Sequence, residues 1–320
     1  MHSLKHLAGK SILITGATGF IGRHLVNRLQ REHDTPLIAL TRRPPGEQGN
    51  GMRWVQSSLH ELTPATWRAN GVERIDVLLH LGSFTPKIMG DADRIEDIYR
   101  DNILGTRHLL DSLPTIPERL VFSSTLDVYA PLSDANPLTE DSPIGPQSLY
   151  GASKLFCEHL VAAYARNTGC GFALLRYGHI FGPGEEAYGK LIPKTIRRML
   201  DGEAPVLFGD GSTERDFFYV EDAVEATLRA AAAEKKQLGP INVVRGSSVT
   251  TRDIITTLTR LLGVAEEPQY LLDKPGGTSV RFDNRRMREL LGEWSYVTLE
   301  EGLSREIMHL RTPKGTSPAC

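Results

Sequence analysis

The chain has 320 residues, with 37 lysine and arginine against 39 aspartate and glutamate residues and a net charge of −2. This balance excludes the strongly basic surface that binding to nucleic acid or to a membrane surface requires. No apolar run approaches the roughly 18–20 residues of a membrane span, and the first ten residues lack the apolar core of a secretory signal. The three cysteines have neither disulfide nor metal-ligand spacing. We therefore expect a cytoplasmic protein without a metal, a nucleic-acid partner or a membrane partner.

A glycine turn near the amino terminus organises the first part of the chain. The apolar run 11–15 leads into Gly16, Gly19 and Gly22, and a helical pattern follows at once. Gly16 permits a sharp turn, Gly19 lets the backbone approach a pyrophosphate, and Gly22 lets the helix pack against the strand. The alternative is a tight turn that uses glycine for steric reasons alone. The predicted phosphate-binding residues are Gly16, Gly19, Phe20, Ile21 and Gly22.

The second predicted strand, 36–41, ends in Arg42 and Arg43. An acid that holds the ribose 2′-hydroxyl usually stands about 20 residues after the glycines, but no acid lies near this position. Two guanidinium groups suit a 2′-phosphate, which they can grip as a fork. We therefore favour NADP(H) over NAD(H) as the cofactor, and the alternative reading of the two arginines is a solvated basic loop.

Three further strands are predicted to bring polar residues to the same edge of the sheet. The strand 52–59 would end beside the adenine, and the strand 119–125 ends in three hydroxyl side chains. The apolar run 76–82 is typical of a parallel strand buried on both faces, so we interpret His80 as a packed core histidine. The cofactor residues predicted from these strands and from the helix 98–113 are Ser58, Leu59, Leu81, Gly82, Ser83, Asn102 and Ser123.

Tyr150 and Lys154 lie four residues apart on a predicted helix, 148–167, and therefore share one face. A nearby ammonium group favours the phenolate and lowers the tyrosine pKa from its ordinary value of about 10. A tyrosine tuned in this way can act as a general acid or base near neutral pH. Most such pairs are solvated, but this one follows a strand that ends in serine and threonine.

Taken together, the motifs resemble those of extended short-chain dehydrogenases/reductases of the NAD-dependent epimerase/dehydratase group, which modify nucleotide-activated sugars. The resemblance extends from Lys10 to about Leu303. The motifs are Gly16-x-x-Gly19-x-x-Gly22, Ser123-Ser-Thr-x-x-Val-Tyr129, Tyr150-x-x-x-Lys154, Arg176-Tyr-x-x-x-Phe-Gly-Pro183 and Phe208-Gly-Asp-Gly-x-x-x-Arg-Asp-Phe-x-Tyr-Val220.

The resemblance implies a catalytic group. Thr125 would hydrogen-bond the reacting sugar oxygen, although it could have a packing role instead. Tyr150 would exchange the proton of that oxygen. Lys154 would tune Tyr150 and hold the nicotinamide ribose, and Tyr177 would lie against the nicotinamide.

The resemblance also implies a site for a nucleotide-diphosphate sugar. Arg215 would contact the diphosphate, although it could instead form an ion pair with Asp216 or Asp222. The implied substrate residues are Ser124, Thr125, His179, Lys190, Leu191, Arg215 and Lys274.

Four positions depart from the family pattern. Leu126-Asp127 stands where 4,6-dehydratases carry an Asp-Glu pair, and because leucine cannot protonate a leaving hydroxyl, we predict no dehydratase of that type. His179 replaces an asparagine that often binds the diphosphate, and Lys274 replaces an arginine and loses its fork. Ser57-Ser58 replaces a Gly-Asp pair, which removes a common adenine contact.

The leading functional hypothesis is an NADPH-dependent reductase of a 4-keto sugar nucleotide, with Tyr150 as the general acid. The main alternative is a nucleotide-sugar 4-epimerase with retained NAD, which uses the same residues. A reductase of apolar ketones is a third possibility, but Arg215 argues against it because the resemblance implies that this residue contacts a diphosphate. A non-catalytic redox sensor is disfavoured because Thr125, Tyr150 and Lys154 are all present.

The expected architecture is an α/β fold. A Rossmann-type doubly wound parallel sheet would cover residues 1–176, with 204–246 partly returning to it. A smaller C-terminal α/β substrate domain would cover 177–320, and the active site would be the cleft between them. By resemblance, the helices 98–113 and 148–167 would pair with a second copy in a homodimer.

Overall fold

The computed structural model describes residues 6–32, 36–43, 51–88, 90–131, 137–264, 267–273 and 277–312. Within these ranges, no helix is both long enough and apolar enough to cross a membrane. The strands are β1 Ile12–Thr15, β2 Leu37–Thr41, β3 Met52–Gln56, β4 Val77–His80, β5 Arg119–Thr125, β6 Gly171–Tyr177, β7 His179–Phe181, β8 Val206–Phe208, β9 Glu214–Arg215, β10 Phe217–Tyr219, β11 Gln237–Val243, β12 Val249–Thr250 and β13 Gln269–Leu271.

Helices connect most of these strands. They are α1 Phe20–Glu32, α2 Pro64–Ala69, α3 Ile95–Ile98, α4 Gly105–Ser112, α5 Leu149–Thr168, α6 Leu191–Leu200, α7 Val220–Ala232, α8 Thr251–Leu262, α9 Arg285–Leu291 and α10 Leu299–Arg311. The predicted helix 98–113 is interrupted by a π-helical segment, Tyr99–Leu104, between α3 and α4. Because π turns hold more residues than α turns, side-chain directions along this helix do not follow the 3.6-residue period.

Seven strands form one parallel sheet in the order β11-β6-β5-β4-β1-β2-β3. The chain order therefore reverses between β1 and β4, which is the point where open α/β sheets bind ligands at the carboxyl ends of their strands. The predicted doubly wound Rossmann-type sheet is confirmed. Strand β11 returns to this sheet beside β6, as the expected return of 204–246 requires.

The two faces of the sheet are covered by separate apolar clusters. One contains α1 and α7 together with elements of the C-terminal part, and the other contains side chains of α4 and α5. The residues of β1 and of β4 are buried throughout, as strands covered on both faces require.

The remaining strands form three small two-stranded sheets, β7–β10, β9–β12 and β8–β13. They lie in the C-terminal part, where α10 contacts α6, α8 and β10. The start of α10 is fixed by Thr298, whose side chain accepts a hydrogen bond from the backbone N–H of Glu301 at 3.2 Å.

Candidate active site

A cavity of about 800 Å³ lies at the carboxyl ends of the central strands and contains much of the predicted site. The predicted residues in its wall are Gly16, Gly19, Phe20, Ile21, Gly22, Arg42, Ser58, Leu59, Leu81, Gly82, Ser83, Ser123, Ser124, Thr125, Tyr150, Tyr177 and Lys190. The wall does not include Arg43, Asn102, Lys154, His179, Leu191 or Arg215. Lys274 lies outside the described residues.

A second concavity, of about 590 Å³, lies at the opposite edge of the sheet. Its wall includes Ser11, Pro36 and Gly51, which precede β1, β2 and β3, and it contains none of the predicted site residues. Because ligands of such sheets bind at the carboxyl ends of the strands, the first cavity is the candidate site.

The glycine turn fits a close ligand approach. Gly16 has a φ of 70°, and a Cβ there would come within 2.8 Å of the backbone nitrogen of Gly82. A Cβ on Gly22 would overlap the carbonyl oxygen of Gly16. Side chains are therefore excluded where strand, turn and helix α1 meet, and a cradle of backbone N–H groups remains that suits a pyrophosphate.

His80 lies beneath this turn rather than in the cavity wall. It is 1% exposed, and its ring nitrogens hydrogen-bond Thr15 Oγ1 at 2.7 Å and Thr106 Oγ1 at 3.0 Å. Burial, with the charge of Lys154, lowers the pKa of His80 to about 3, so the ring is neutral at physiological pH. The prediction of a packed core histidine is confirmed.

The end of the cavity beside β2 is charged. Arg42 Nη1 lies 3.6 Å from Asp101 Oδ2, and His60 Nδ1 lies 3.6 Å from the other carboxylate oxygen. Arg100 Nε donates a hydrogen bond to Asp101 Oδ1 at 2.8 Å. The arginine at the end of β2 therefore does have an acid nearby, and it comes from the π-helical segment almost 60 residues along the chain, where reading the local sequence could not find it.

Asn102 is 1% exposed and lies behind the cavity wall, contrary to its predicted place in the cofactor site. Its Oδ1 accepts a hydrogen bond from the backbone N–H of Phe84 at 2.7 Å, and its Nδ2 donates to Ser153 Oγ at 3.0 Å. Asn102 thus ties the loop after β4 to α5. Asn102 can therefore affect the cavity by holding this loop in position.

Helix α5 brings Tyr150 to the cavity. The side chain of Ser148 accepts a hydrogen bond from the N–H of Gly151 at 3.1 Å, and this N-cap fixes the first turn in which Tyr150 lies. The Tyr150 ring is 8% exposed, and Tyr150, Thr125 and Asp127 all contribute to the wall. A hydroxyl, a carboxyl group and a phenol therefore line one space, which is an arrangement suited to proton exchange.

The expected lowering of the tyrosine pKa is wrong for this structure. Burial raises the pKa of Tyr150, the carboxylate of Asp127 raises it further, and a hydrogen bond with Thr85 offsets part of the rise. Burial also raises the pKa of Asp127, while a hydrogen bond with Thr125 opposes that change. The loss of hydration at Tyr150 outweighs any gain from the lysine because both groups are buried.

Lys154 is 2% exposed and lies one helical turn behind Tyr150. Its Nζ lies 4.6 Å from the centroid of the Phe122 ring, on the side of α5 that packs against the sheet. Burial lowers the pKa of Lys154 to about 8. The lysine therefore lies between α5 and the sheet and outside the cavity wall. Its predicted contact with the nicotinamide ribose remains a prediction.

Ser124 borders the cavity, but its hydroxyl points toward the interior. Its Oγ donates a hydrogen bond to Glu158 Oε1 at 2.5 Å. Arg176 holds the same carboxylate with two hydrogen bonds, Nε to Oε1 at 2.9 Å and Nη2 to Oε2 at 2.8 Å. The predicted substrate contact of Ser124 is therefore not available to its hydroxyl proton, which serves a buried polar network instead.

Tyr177 also directs its hydroxyl away from the cavity. The oxygen lies 2.6 Å from Thr227 Oγ1 in α7, while the residue remains part of the cavity wall. This hydrogen bond fixes the position of the tyrosine at the end of β6. Any contact with a nicotinamide would use the ring and not the hydroxyl.

Lys190 borders the cavity just before α6. Its Nζ donates a hydrogen bond to the carbonyl oxygen of Ile180 at 2.8 Å and lies 5.6 Å from the ring centroids of Phe20 and of Tyr188. Leu191 follows it as the first residue of α6 and lies outside the wall. The aromatic ring of Tyr188, which prediction from the sequence missed, forms part of the wall.

Arg215 has backbone partners and not the carboxylates considered in the sequence analysis. Its Nη1 donates to the carbonyl oxygens of Glu214 at 2.8 Å and Thr278 at 2.7 Å. Asp216 accepts from the N–H groups of Arg245 and Gly246 instead, each at 2.8 Å. The carboxyl group of Asp222 accepts from the backbone and side chain of other residues, so the alternative of an Arg215 ion pair with either aspartate is wrong.

His179 is the first residue of β7. The loss of hydration around its ring lowers the pKa of His179 to about 4, and the positive charges of Arg215 and Lys190 contribute to this decrease. The imidazole is therefore neutral at physiological pH and lies within the electrostatic influence of two cations.

Among the residues of the cavity wall that the sequence analysis did not assign to the site are Asp127, Asp101, Tyr188 and Thr85. Asp127 stands in the turn directly after β5, and that position at a carboxyl end could have identified it. The other residues reach the site through contacts between distant segments, for which a single sequence carries no direct signal.

Comparisons with known proteins agree with this geometry. The model of the NAD dependent epimerase/dehydratase family matches residues 12–244. UDP-glucuronic acid decarboxylase 6 of Arabidopsis thaliana is 29% identical over 300 residues, which cover 91% of this chain and 86% of the relative.

Two solved structures are also similar. UDP-glucose 4-epimerase of Thermotoga maritima, solved with UDP-glucose, has a TM-score of 0.81 and 28% identity and covers 94% of this chain and 98% of its own. MoeE5, solved with UDP-glucuronic acid and NAD, has a TM-score of 0.81 and 29% identity, covering 94% and 99% of the two chains. The family model alone covers more than half of the sequence, and the chain belongs to the NAD-dependent epimerase/dehydratase family.

Proposed function

We propose that this chain binds NAD and a UDP-sugar and interconverts the configuration at C4 of the sugar. The proposal rests on one observation: Thr125, Asp127 and Tyr150 line the same cavity as the glycine turn. The related proteins support the choice of ligands, because one neighbour was solved with UDP-glucuronic acid and NAD and another is a UDP-glucose 4-epimerase.

The residues of the chain would act on the sugar hydroxyl. Tyr150, in its phenolate form, accepts the hydroxyl proton as the sugar is oxidised and returns it on reduction, while Thr125 holds the reacting oxygen by a hydrogen bond. Bound nicotinamide supplies the acceptor and donor of the hydride. The low exposure of Tyr150 keeps bulk water from the transferred proton.

The diphosphate of the UDP-sugar would lie on the side of the cavity with Lys190, Arg215 and His179. Lys190 is in the wall, and the charges of Lys190 and Arg215 both lower the pKa of His179, which supports this grouping. A neutral imidazole beside two cations can donate a hydrogen bond to a phosphate oxygen. Leu191 and Lys274 remain predicted members of this site.

An NADPH-dependent reductase of a 4-keto sugar nucleotide is the second candidate. Arg42 and Arg43 favour it, because both are exposed at the end of β2, where a 2′-phosphate would lie. Asp101 beside Arg42 weakens that argument, since a carboxylate repels a phosphate. The same proton-transfer residues would serve both reactions, so cofactor choice separates them.

The first test is to denature the purified protein and identify any dinucleotide released, then to titrate the emptied protein with NADH and NADPH. We expect near-stoichiometric NAD and conversion of UDP-glucose to UDP-galactose without added cofactor. A protein that releases no dinucleotide and prefers NADPH would contradict the epimerase and support the reductase, for which 4-keto sugar nucleotides are the next substrates.

Tyr150→Phe tests the proton-transfer step separately. We expect activity to fall by about 100- to 10,000-fold while the affinity for NAD stays near normal, because only the phenolic oxygen is removed. Tyr270→Phe is the matched control, since Tyr270 in β13 is 45% exposed. Full activity of Tyr150→Phe would contradict the assigned role.

We also infer a homodimer. Side chains of α3, α5 and the segment between α3 and α4 present exposed apolar surface: Ile95, Tyr99, Leu149 and Phe156 are 62%, 52%, 41% and 52% exposed. Apolar side chains grouped on adjacent helices are typical of an interface with another protein. A second copy of the chain is the expected partner.

A further inference from the structure

Two glutamates are buried where α10 meets the loop before α6, a contact that is also made by His309 of α10 and Glu186 of the loop at 3.3 Å. Glu306 in α10 is 0% exposed, and Glu185 in the loop before α6 is 1% exposed. None of their four carboxyl oxygens makes a hydrogen bond of good geometry to a described residue. Buried carboxylates without hydrogen-bond donors are costly, and the ion pair of Glu185 with Lys190 at 3.3 Å offsets part of this cost for Glu185. At least one of the two groups is therefore expected to keep its proton at neutral pH.

Two acidic and two basic groups act on Glu306 from outside α10. The groups that face it are Glu185 and Glu186 of the loop, Lys190 and Arg197 around α6, and Tyr219 before α7. On α10 itself, Arg305 pairs with Glu221 at 2.7 Å and Glu301 at 2.6 Å, and His309 Nε2 lies 3.3 Å from Glu186 Oε1. Much of the nearby positive charge is therefore engaged by other carboxylates.

Burial raises the pKa of Glu185 to about 7 and that of Glu306 to about 8. The carboxylates of Glu185 and Glu186 add to the rise at Glu306, while Lys190 lowers the pKa of Glu185. Glu185 is therefore the group that ionises first. Glu306 holds its proton longer because it would become a second negative charge in the same dry space.

Lys190 connects this pair to the cavity. Its Nζ lies 3.3 Å from Glu185 Oε2 and donates to the carbonyl oxygen of Ile180 at 2.8 Å. The same ammonium lies beside the rings of Phe20 and Tyr188, which are also in the cavity wall. A change of charge behind Lys190 therefore acts on a cation at the edge of the ligand site.

We propose that Glu185 and Glu306 form a buried acid pair that keeps a proton near neutral pH and that this proton controls how firmly Lys190 is held away from an anionic ligand. With the proton present, one negative charge attracts the ammonium, and without it two do. The pair is thus a positioning device for Lys190. The identity of the anion as the diphosphate of a UDP-sugar rests on the proposed function.

Binding of UDP-glucose tests the link to the cavity, because its phosphate groups do not titrate between pH 6.5 and 9. Calorimetry of the wild type should show affinity falling by about fivefold over this range, an effect of the size of one partly exposed charge pair. Glu306→Gln removes one of the two ionisable groups, so its affinity should fall less between pH 6.5 and 9 than that of the wild type. Glu300→Gln, an exposed position on the same helix, should behave like the wild type.

An equal fall in affinity in the wild type and in Glu306→Gln would overturn the link to Lys190. So would a wild type whose affinity does not change with pH. Failure of UDP-glucose to bind at any pH would contradict the proposed function, and the role of Lys190 would fall with it.

Carbon-13 NMR of the wild-type protein with labelled glutamate carboxyl groups tests, without any ligand, whether this acid pair keeps a proton near neutral pH. We expect a glutamate carboxyl resonance that titrates above pH 6.5 and is absent from the spectrum of Glu306→Gln. Complete ionisation of every glutamate below pH 6 would overturn the proposal. This measurement also decides the matter if Glu306→Gln does not fold, because the titration itself uses the wild type.

Discussion

Arg42 Nη1 and Asp101 Oδ2 lie 3.6 Å apart at the end of the cavity beside β2. The arginine is 72% exposed in its side chain, while the aspartate is 14% exposed and is also held by Arg100. A largely buried carboxylate thus faces an exposed guanidinium group where the adenosine ribose of a dinucleotide would lie. The position combines a residue that favours a 2′-phosphate with one that opposes it.

Asp101→Asn should therefore shift cofactor preference toward NADPH. Removal of the carboxylate frees Arg42 and removes a repulsive charge, and we expect the ratio of NADPH to NADH affinity to rise about fivefold, since exposed charge pairs are worth up to about 1 kcal/mol. Fluorescence titration of the emptied protein measures the ratio. Glu96→Gln, an exposed acid on α3, is the control, and an unchanged ratio in Asp101→Asn would remove Asp101 from cofactor selection.

Asp127→Asn should move the pH dependence of catalysis to lower pH. The Asp127 carboxylate raises the pKa of Tyr150, so the phenol ionises more easily once that charge is gone. If oxidation requires the phenolate, the rising limb of kcat against pH shifts down by about one pH unit, as expected for the loss of one nearby like charge. Single-turnover rates from pH 6 to 10 measure the shift.

Thr85→Val provides a control of opposite sign for this effect. The Thr85 hydroxyl lowers the pKa of Tyr150, so its removal should move the same limb to higher pH. Shifts in the same direction for both variants would mean that general damage to the site, and not the charge on Tyr150, governs the rate.

Much of the site could be predicted because its signals are local. The order of strand, glycine turn and helix specifies a phosphate cradle, and the hydroxyl residues at the end of β5 place Thr125 beside Tyr150 in the cavity wall. The polarity of the surroundings could not be predicted in the same way. The raised pKa of Tyr150 depends on burial and on Asp127, and both follow from packing between segments.

Asn102 illustrates the same limit in the backbone. The α-helical pattern of residues 98–113 does not indicate the π-helical segment that contains this residue. Its side chain instead bridges the loop after β4 and α5. Long-range hydrogen bonds of this kind decide whether a polar residue faces a ligand or supports the wall behind it.

The exposed apolar side chains of α3 and α5 predict a two-copy assembly that a single charge should disrupt. We expect the wild type to sediment at twice the chain mass of 35.4 kDa and Phe156→Asp to sediment at the mass of one chain, because a carboxylate would be buried without a partner. Ile116→Asp, at a position 58% exposed between α4 and β5, should leave the assembly intact. A monomeric wild type would contradict the inferred homodimer.

The ion pair of Glu158 and Arg176 should add little to the free energy of unfolding, but removal of one partner alone should lower it strongly. Both side chains are 5% exposed, and Glu158 also accepts the hydroxyl of Ser124. Glu158→Gln leaves the Arg176 charge buried without its ion partner, and we expect the free energy of unfolding to fall by about 3 kcal/mol.

The double variant Glu158→Leu, Arg176→Met removes both charges and should recover most of that loss, because apolar side chains of similar size can replace a buried ion pair. Urea denaturation followed by circular dichroism measures both values. A double variant less stable than Glu158→Gln would mean that the network with Ser124 stabilises the end of β5 beyond the pairing of the two charges.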